Sequence, residues 1–448
     1  MSFKREQPKL SDHFDCARLI RFVLPSVVMM IFTSIYGVVD GFFVSNFVGK
    51  TAFAAVNIVL PISLGLASIG FMIGSGGCAI VSKTLGEGDK EKANRIFSML
   101  IYAVIIGGIV LTIPGFIFMR PIIRLMGADE SLVADSVLYG RILLFFQTAY
   151  MLQSVFQSLF AAAEKPKLGL FITVAAGLTN MVLDALFIAV FRWGLAGAAV
   201  ATVLGQIVGG VIPIVYFARK NTSLLSLVPT RFDGRVMLKV CTNGSSELMT
   251  NISISLVSML YNIQLLSKAG NDGVAAYGVI MYVNFIFVAI FLGYSIGSAP
   301  VIGYNYGCQN KTELKNVFKK SVIIIGVLGI VLTCIAEAIA APLSKIFVGY
   351  DPALFEMTKR GFYICSLAFL ICGFNIFGSA FFTALSNGLV SALISFARTL
   401  VFQVAAIMIL PVFFDLDGIW LSVFVAEIPS FAVVLAFVFA NRKRYEYI

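Results

Sequence analysis

The sequence predicts an all-α polytopic membrane protein in which twelve transmembrane helices form two pseudo-symmetric six-helix bundles. Three observations predict this fold class: an apolar composition, apolar runs of spanning length, and an internal repeat. Of the 448 residues, 59% are hydrophobic and only 12% are charged. A soluble core cannot hide so much apolar surface, so the chain is expected to reside in a bilayer.

The apolar runs recur between short polar loops along the whole chain. Each has about 20 residues or more, enough for a helix to cross a hydrocarbon layer of about 30 Å. In order, the predicted spans are 20–45, 53–81, 96–119, 138–162, 169–191, 195–217, 241–267, 273–303, 321–341, 361–384, 388–412 and 418–440. Several exceed one crossing, which predicts tilted or kinked helices.

The internal repeat has a constant offset of 221 residues: Gly49 returns as Gly270, and Gly140 returns as Gly361. Because six spans precede the copy, both copies start on the same side of the membrane, related by an axis normal to it. The predicted organisation is a tail at 1–19, a six-helix bundle at 20–217 (the first half), a linker at 218–239, a six-helix bundle at 240–440 (the second half) and a tail at 441–448.

The net charge of +10 is distributed unevenly across the predicted membrane. With alternating spans, 23 of the 33 basic residues fall on the side of the amino terminus and nine on the other side. This positive-inside pattern predicts a multi-pass protein of the cell membrane with both termini cytoplasmic. It accounts for the charge without a nucleic-acid partner.

Little in the sequence supports an enzyme. The only histidine, His13, lies in the tail, and the sequence has no HExxH or Walker motif. The seven cysteines form no CxxC pair and predict neither a disulfide nor a metal framework. We therefore expect a non-enzyme without cofactors, and transport driven by an ion gradient.

The first span carries Asp40, and a carboxylate at membrane depth marks an ion or substrate path. Asn180 and Asp184 lie one helical turn apart in the fifth span, and Thr202 falls at a similar depth in the sixth. These four residues are the predicted cation or proton-coupling site. Their oxygen atoms suit Na⁺ or a proton shared between two acids, and would also attract a cationic substrate.

The acidic site belongs to the first half only, because the repeat aligns Asp40 with Tyr261 and Asp184 with Ala405. For Asn180 or Thr202 taken singly, an ordinary interhelical hydrogen bond is the competing interpretation.

Four further residues are predicted to serve transport. Tyr36 lies one turn before Asp40, and Tyr139 begins the fourth span; with Glu247 they are candidate substrate or cavity residues. Glu247 is equally consistent with an interfacial glutamate. Pro25 is a candidate conformational switch, with a static packing kink as the alternative. Roles for Arg398 and Glu427, which aligns with Gln206, remain open.

These residues resemble those of the multidrug and toxic compound extrusion (MATE) family, in its DinF-like prokaryotic branch. The resemblance covers nearly the whole chain and is carried by the two repeated halves, Pro25, Tyr36, Asp40, the Gly86–Asp89 turn, Asn180, Asp184 and Thr202. It implies a V-shaped pair of bundles of the MATE/MOP type, a rocker-switch cycle, and export of cationic or amphipathic compounds in exchange for H⁺ or Na⁺. Tyr36 and Tyr139 match residues near the family's cation site, and Glu247 resembles a seventh-span acid of another branch.

Two other functions compete with drug antiport. A flippase of lipid-linked oligosaccharides from the same wider superfamily would need a basic cavity for a pyrophosphate head group, whereas the predicted interior is acidic. A non-transporting membrane scaffold would not depend on Asp40 and Asp184. A monomer is expected, because one chain can enclose the cavity.

Overall fold

The computed structural model describes residues 8–126 and 130–447. Within these ranges the chain forms α-helices and no β-strand. The helices are α1 Cys16–Phe43, α2 Lys50–Gly86, α3 Lys90–Leu125, α4 Glu130–Phe145, α5 Gln147–Ala162, α6 Pro166–Asp184, α7 Gly194–Ala218, α8 Gly234–Gly307, α9 Lys311–Val348, α10 Pro352–Ser366, α11 Phe369–Ala384, α12 Gly388–Phe396, α13 Gln403–Val425 and α14 Glu427–Tyr445. Three π-helical segments, Val44–Val48, Ala185–Val190 and Ala397–Phe402, extend or join them.

Short polar side chains set where several helices begin. The Asp15 carboxylate accepts the Arg18 backbone N–H at the start of α1, and Asp89 accepts that of Lys92 at the start of α3. Asp233 does the same for α8. A carboxylate at the N-cap satisfies backbone donors that have no partner inside the helix. Because Asp233 caps α8, this helix starts at Gly234, earlier than the predicted seventh span.

Nine helices in the described ranges are long and apolar enough to cross a membrane, and up to eleven if each of two bent pairs is one span. The bent pairs are α4 with α5, at 55°, and α10 with α11, at 48°. They correspond to the predicted fourth and tenth spans. The last two predicted spans count as one because Gly388–Tyr445 runs on for 58 residues. The all-α, multi-pass fold class is confirmed, with the predicted twelve spans close to this count.

The 74-residue α8 covers the predicted seventh and eighth spans and breaks at Gly270, where φ is 59° and ψ is −148°. The repeat partner Gly49 separates the π-helical end of α1 from α2 with a φ of 118°. Both backbone conformations favour glycine, because a Cβ atom would be strained there. The same residue type therefore makes the same turn in each copy of the repeat.

Helices α2 and α8 bring the two halves into backbone contact. A Cβ atom on Gly244 would lie 1.9 Å from the Met72 carbonyl oxygen, and one on Gly307 would lie 2.1 Å from that of Lys83. Glycine is required wherever two helix backbones approach this closely. These contacts close the halves together over the part of α2 that leads to Gly86.

The amino-terminal segment, residues 8–15, is named here the strap, and the end of the bundle where it lies is the tail face. Leu10 and Phe14 of the strap are fully buried. The Leu10 N–H donates to Glu164 Oε1 at 2.6 Å, and the Phe14 N–H donates to Glu313 Oε1 at 2.8 Å. Glu164 follows α5 in the first half and Glu313 lies on α9 in the second, so the strap joins both.

The linker crosses the same face over α3. The Ser226 N–H donates to Asn94 Oδ1 at 3.0 Å, and the Val228 N–H donates to Ser98 Oγ at 2.8 Å. Residues 219–233 are not helical, and the last residues of the predicted linker form the first turns of α8.

Candidate functional site

A cavity of about 240 Å³ lies within the first half, between α1, α2, α4, α5, α6 and α7. It contains five of the predicted site residues, and its lining is Thr33, Tyr36, Gly37, Asp40, Leu60, Ser63, Leu64, Tyr139, Leu143, Tyr150, Gln153, Ala176, Asn180, Thr202, Gly205 and Gln206. None of these residues is basic.

Asp40 is half-buried on α1, and its carboxylate faces the side chains of Asp184, Asn180 and Thr202. Asp184, the last residue of α6, is fully buried, and Asn180 is 3% exposed one turn earlier. The Asn180 amide is 3.5 Å from Thr202 Oγ1, which itself donates to the Ala198 carbonyl. The structure thus brings the four predicted coupling residues together.

Four oxygen atoms of this cluster are buried without a hydrogen-bond donor among the described residues: Asp40 Oδ1, Asn180 Oδ1 and both carboxylate oxygens of Asp184. A buried polar atom without a partner costs about 1 to 3 kcal/mol, and more when it carries charge. Nothing within this part of the chain offsets that cost. The donor set fits a bound proton or a hard cation such as Na⁺, which oxygen ligands prefer.

The two acids also adjoin irregular helix. Asp184 is followed at once by the π-helical segment Ala185–Val190, and Asp40 precedes Val44–Val48 by one turn. Short π-helical insertions are frequent at functional sites, because they shift side chains away from regular helical positions.

Tyr36 and Tyr139 line the cavity as predicted, and Tyr139 is 1% exposed. Tyr36 approaches α6 at Gly177, where a Cβ atom would lie 3.0 Å from the Tyr36 ring and 2.5 Å from that of Phe32. Gly177 therefore leaves room for the aromatic face of α1 beside the acidic cluster.

Glu247 does not line this cavity, and the packing of its helix on α2 places it away from the acidic cluster. It lies one turn beyond Gly244, which packs on Met72 of α2. Leu64, the cavity residue of α2 closest to Met72 in sequence, is eight residues away, or about 12 Å along the helix. Glu247 lies 13 residues into α8, which starts at Gly234, and its role stays a prediction.

Pro25 is buried inside α1, which continues as a helix through it. Its neighbours in α1 meet α8 at close range: a Cβ atom on Gly293 would lie 2.5 Å from Val27 Cα, and one on Gly297 would lie 2.9 Å from Val23 Cγ1. Pro25 thus lies where α1 of the first half packs on α8 of the second.

Sequence analysis missed Tyr150 and Gln153 of α5, which complete the cavity wall. On the same helix, Gln147 accepts a hydrogen bond from Ser63 Oγ at 2.9 Å. The available signal was the spacing of Gln147, Tyr150 and Gln153, which puts polar groups on one helical face of an apolar span.

The second half has a satisfied polar group where the first has an acid. Tyr261, the repeat partner of Asp40, is 1% exposed, and its hydroxyl shares a 2.6 Å hydrogen bond with Ser422 Oγ. Gln403 donates to the same hydroxyl. This position needs no ion.

Arg398 and Glu427 form a buried ion pair in the second half. The Arg398 Nε donates to both Glu427 carboxylate oxygens at 3.0 Å, and its terminal NH2 group donates to one at 2.8 Å. Asn375 Nδ2 donates to the same carboxylate at 2.6 Å. Among the described residues, no group of three or more His, Cys, Asp or Glu side chains could hold a metal ion.

An all-α, multi-pass membrane protein with an acidic, oxygen-lined site buried between its helices has the architecture of a membrane transporter. The chain belongs to the MatE family, whose sequence profile matches residues 25–186 and 248–409. The predicted family resemblance is confirmed.

Relatives match over nearly the whole chain. The multidrug export protein MepA of Staphylococcus haemolyticus is 23% identical, over 95% of this chain and 94% of its own. A solved structure described as the outward-facing conformation of a multidrug resistance MATE family transporter superposes with a TM-score of 0.91 at 20% identity, covering 97% of this chain and 98% of its own. A MOP superfamily transporter from Pyrococcus furiosus, described as having a binding pocket of reverse polarity, gives 0.87 at 20% identity, with 97% of both chains covered. The MepA relatives from three staphylococcal species are named multidrug export proteins, which confirms the prediction of a non-enzyme.

Proposed function

We propose that this protein is a secondary active multidrug efflux antiporter, which exports cationic or amphipathic compounds in exchange for H⁺ or Na⁺ by a rocker-switch cycle. The observation that carries the proposal is the set of four buried oxygens on Asp40, Asn180 and Asp184 that find no hydrogen-bond partner in the described part of the chain. A site that lacks only a cation or protons is suited to bind and release them.

The negative charge of the cavity favours cationic ligands. Asp40 lines it and Asp184 lies behind, whereas none of the described lining residues is basic. A flippase of lipid-linked oligosaccharides must hold a pyrophosphate, and this cavity would repel one. We therefore favour drug antiport over that function.

The size of the cavity separates ion from substrate. Its 240 Å³ falls below the range of about 300 to 1,000 Å³ that drug-sized ligands occupy. We assign it to the coupling ion and propose that the substrate occupies a larger space, which opens when the halves part.

Coupling follows from charge. A proton or Na⁺ between Asp40 and Asp184 removes net negative charge and supplies the partner that their oxygens lack. The bound form then favours a different packing of α1 on α8 around Pro25. The ion shifts the population between the two conformations of the rocker-switch cycle because it binds one of them more tightly than the other. The names of the staphylococcal relatives, which are multidrug export proteins, support outward transport of the substrate.

Orientation completes the proposal. We place the tail face in the cytoplasm of a cell-membrane protein that acts as a monomer, because the basic residues concentrate on that side.

The test is efflux of a fluorescent cationic dye from proteoliposomes, with a pH gradient and a Na⁺ gradient imposed separately. We expect one gradient to drive efflux, which names the ion, and Asp40→Asn to abolish it while the protein stays folded. The matched control is Glu356→Gln, which neutralises an exposed acid of the second half. Driven efflux that survives in Asp40→Asn would refute the assignment. Absence of efflux from the folded wild type under both gradients would shift the choice to the flippase or the scaffold.

A further inference from the structure

A basic cleft of about 1430 Å³ opens on the tail face where the start of α3 meets the linker. Its basic side chains are Lys92, Arg95, Arg231 and Arg235. Its two acids, Asp89 and Asp233, are both engaged as N-caps of α3 and α8. The open part of the cleft is therefore positively charged.

These cations are largely without protein partners. In the described ranges, Lys92, Arg231 and Arg235 form no ion pair, and Arg95 approaches only the exposed Glu91, at 3.3 Å. An exposed pair of this kind contributes little. The cleft can therefore offer several donors to an anion.

The cleft lies at the end of an apolar, exposed strip of α3. Beyond Arg95, at helical spacing on the same face, come exposed Tyr102, Ile106, Ile109 and Ile113. Phe232, at the rim of the cleft, is 70% exposed. A phospholipid matches this order: a charged head group in the cleft and acyl chains along the strip.

The second half gives an internal comparison. The repeat aligns Lys92 with Glu313, Arg95 with Asn316 and Met99 with Lys320. There the strap fills the corresponding place, with Asn316 and Lys320 both donating to the Phe14 carbonyl oxygen. Only the first half keeps the place open.

We propose that the cleft is a binding site for the phosphodiester head group of an anionic phospholipid, such as phosphatidylglycerol, in the leaflet at the tail face. Arginine forks bind phosphate oxygens in pairs, and basic pockets at the cytoplasmic ends of spans attract anionic lipids. The proposal goes beyond transport, because it concerns a lipid that binds between the linker and α3.

The experiment measures binding of a fluorescent phosphatidylglycerol to the detergent-solubilised protein by anisotropy. We expect Arg95→Gln combined with Arg231→Gln to weaken binding about tenfold or more. The control, Lys315→Gln with Lys319→Gln, removes the same charge from exposed residues of α9 and should leave binding unchanged. Equal weakening by both pairs would overturn the proposal, as would equal affinity for phosphatidylcholine. Displacement by inorganic phosphate would assign the cleft to a free anion instead. Matched melting temperatures verify folding.

The strap carries a second proposal, which rests on the rocker-switch cycle. Beyond α1, with which it is continuous, the strap makes one hydrogen bond to the described part of the first half, to Glu164, whereas the second half holds it at several points. Glu313 accepts the Phe14 N–H and lies 2.6 Å from His13 Nδ1, and Lys320 Nζ donates to the Phe14 carbonyl oxygen at 2.6 Å. The weaker attachment is therefore the one to Glu164.

We infer that the strap is a latch, which keeps the halves closed at the tail face and releases from Glu164 when that face opens. The ring of Phe14 packs on Phe22 of α1, with 5.8 Å between the ring centroids, so the end of the strap stays attached to α1 and to α9. Opening would expose Leu10, which is fully buried in the closed state.

Thiol labelling in a variant without native cysteines tests the latch. Leu10→Cys should react slowly at rest and several-fold faster when Glu164→Ala is added, whereas exposed Ser11→Cys should react at one rate throughout. Rapid reaction of Leu10→Cys at rest would refute docking of the strap, and no acceleration by Glu164→Ala would refute the latch. Because no gradient is applied, either result is independent of the transport assay.

Discussion

Arg398 and Glu427 pair in the second half at the positions that the repeat assigns to Gly177 and Gln206 in the first. In the first half these positions hold a glycine that makes room for Tyr36 and a glutamine that lines the cavity. The second half fills the corresponding place with two charges that neutralise each other. One copy of the repeat is therefore open to an ion, and the other contains its own counterion.

Breaking this pair should cost stability. Arg398→Met leaves the Glu427 carboxylate buried with only Asn375 as a partner, and we expect the free energy of unfolding to fall by about 3 to 5 kcal/mol. Adding Glu427→Met should restore much of the loss. Thermal and denaturant unfolding in detergent measure both, and a double variant as unstable as the single one would contradict the pairing.

Asp184→Asn should raise stability and abolish coupling together. It removes a buried charge that has no partner among the described residues, so we expect a gain of about 1 to 3 kcal/mol. Dye efflux should no longer follow the ion gradient. Melting temperature and efflux are measured on the same preparation, and a destabilised variant would show that Asp184 is satisfied in the folded protein.

Gly244→Ala should force the halves apart. The new Cβ would overlap the Met72 carbonyl oxygen, since the two atoms would be 1.9 Å apart. We expect a loss of about 1 to 3 kcal/mol or more. Gly278→Ala on the same helix is the control, because nothing lies within 4 Å of its Cβ position. If both variants melt alike, the contact of α2 with α8 does not limit stability.

Glu164 should give a pH dependence at the tail face. Burial raises the pKa of its carboxyl, against the opposing effect of the Leu10 N–H. The folded protein then holds this proton more tightly than the unfolded chain does. The resulting stabilisation is complete below the ordinary glutamate pKa of about 4.3 and is lost as pH rises through the folded pKa.

We therefore expect the wild type to lose stability relative to Glu164→Gln as pH rises over that window. Melting temperatures of both proteins across a pH series measure the difference. If the wild type instead became more stable relative to Glu164→Gln as pH rises, the pKa of Glu164 would be lowered in the folded protein and not raised.

Orientation can be read from native thiols. Cys16 and Cys308 are exposed at the tail face. A membrane-impermeant maleimide should label them in inside-out vesicles and not in intact cells, and should do the reverse for Asp272→Cys in a variant without native cysteines. Labelling of Cys308 in intact cells would invert the proposed topology.

Much of the site was predictable because helix rise is regular. Once the span directions were known, the positions of Asp40, Asn180, Asp184 and Thr202 followed from counting residues from the membrane surface. The start of the seventh helix could not be predicted in this way, because polar residues assigned to the linker form the first turns of α8.

Other features depend on contacts that no local pattern reports. The bend between α4 and α5 falls at Phe146, with no proline or glycine within five residues on either side, so no breaker marks it. The burial of Leu10 and Phe14 could not be predicted, because a polar tail with two apolar residues resembles any solvated segment. Their partners lie on other helices and could be identified only from the fold.

The strap also orders assembly. It leaves the ribosome before its partners Glu164 and Glu313, which are made 154 and 299 residues after the strap residues that bind them. Such distant contacts form late, since loop closure must precede them. A segment synthesised before α1 is thus among the last to be placed, and its docking marks a chain inserted at least as far as α9.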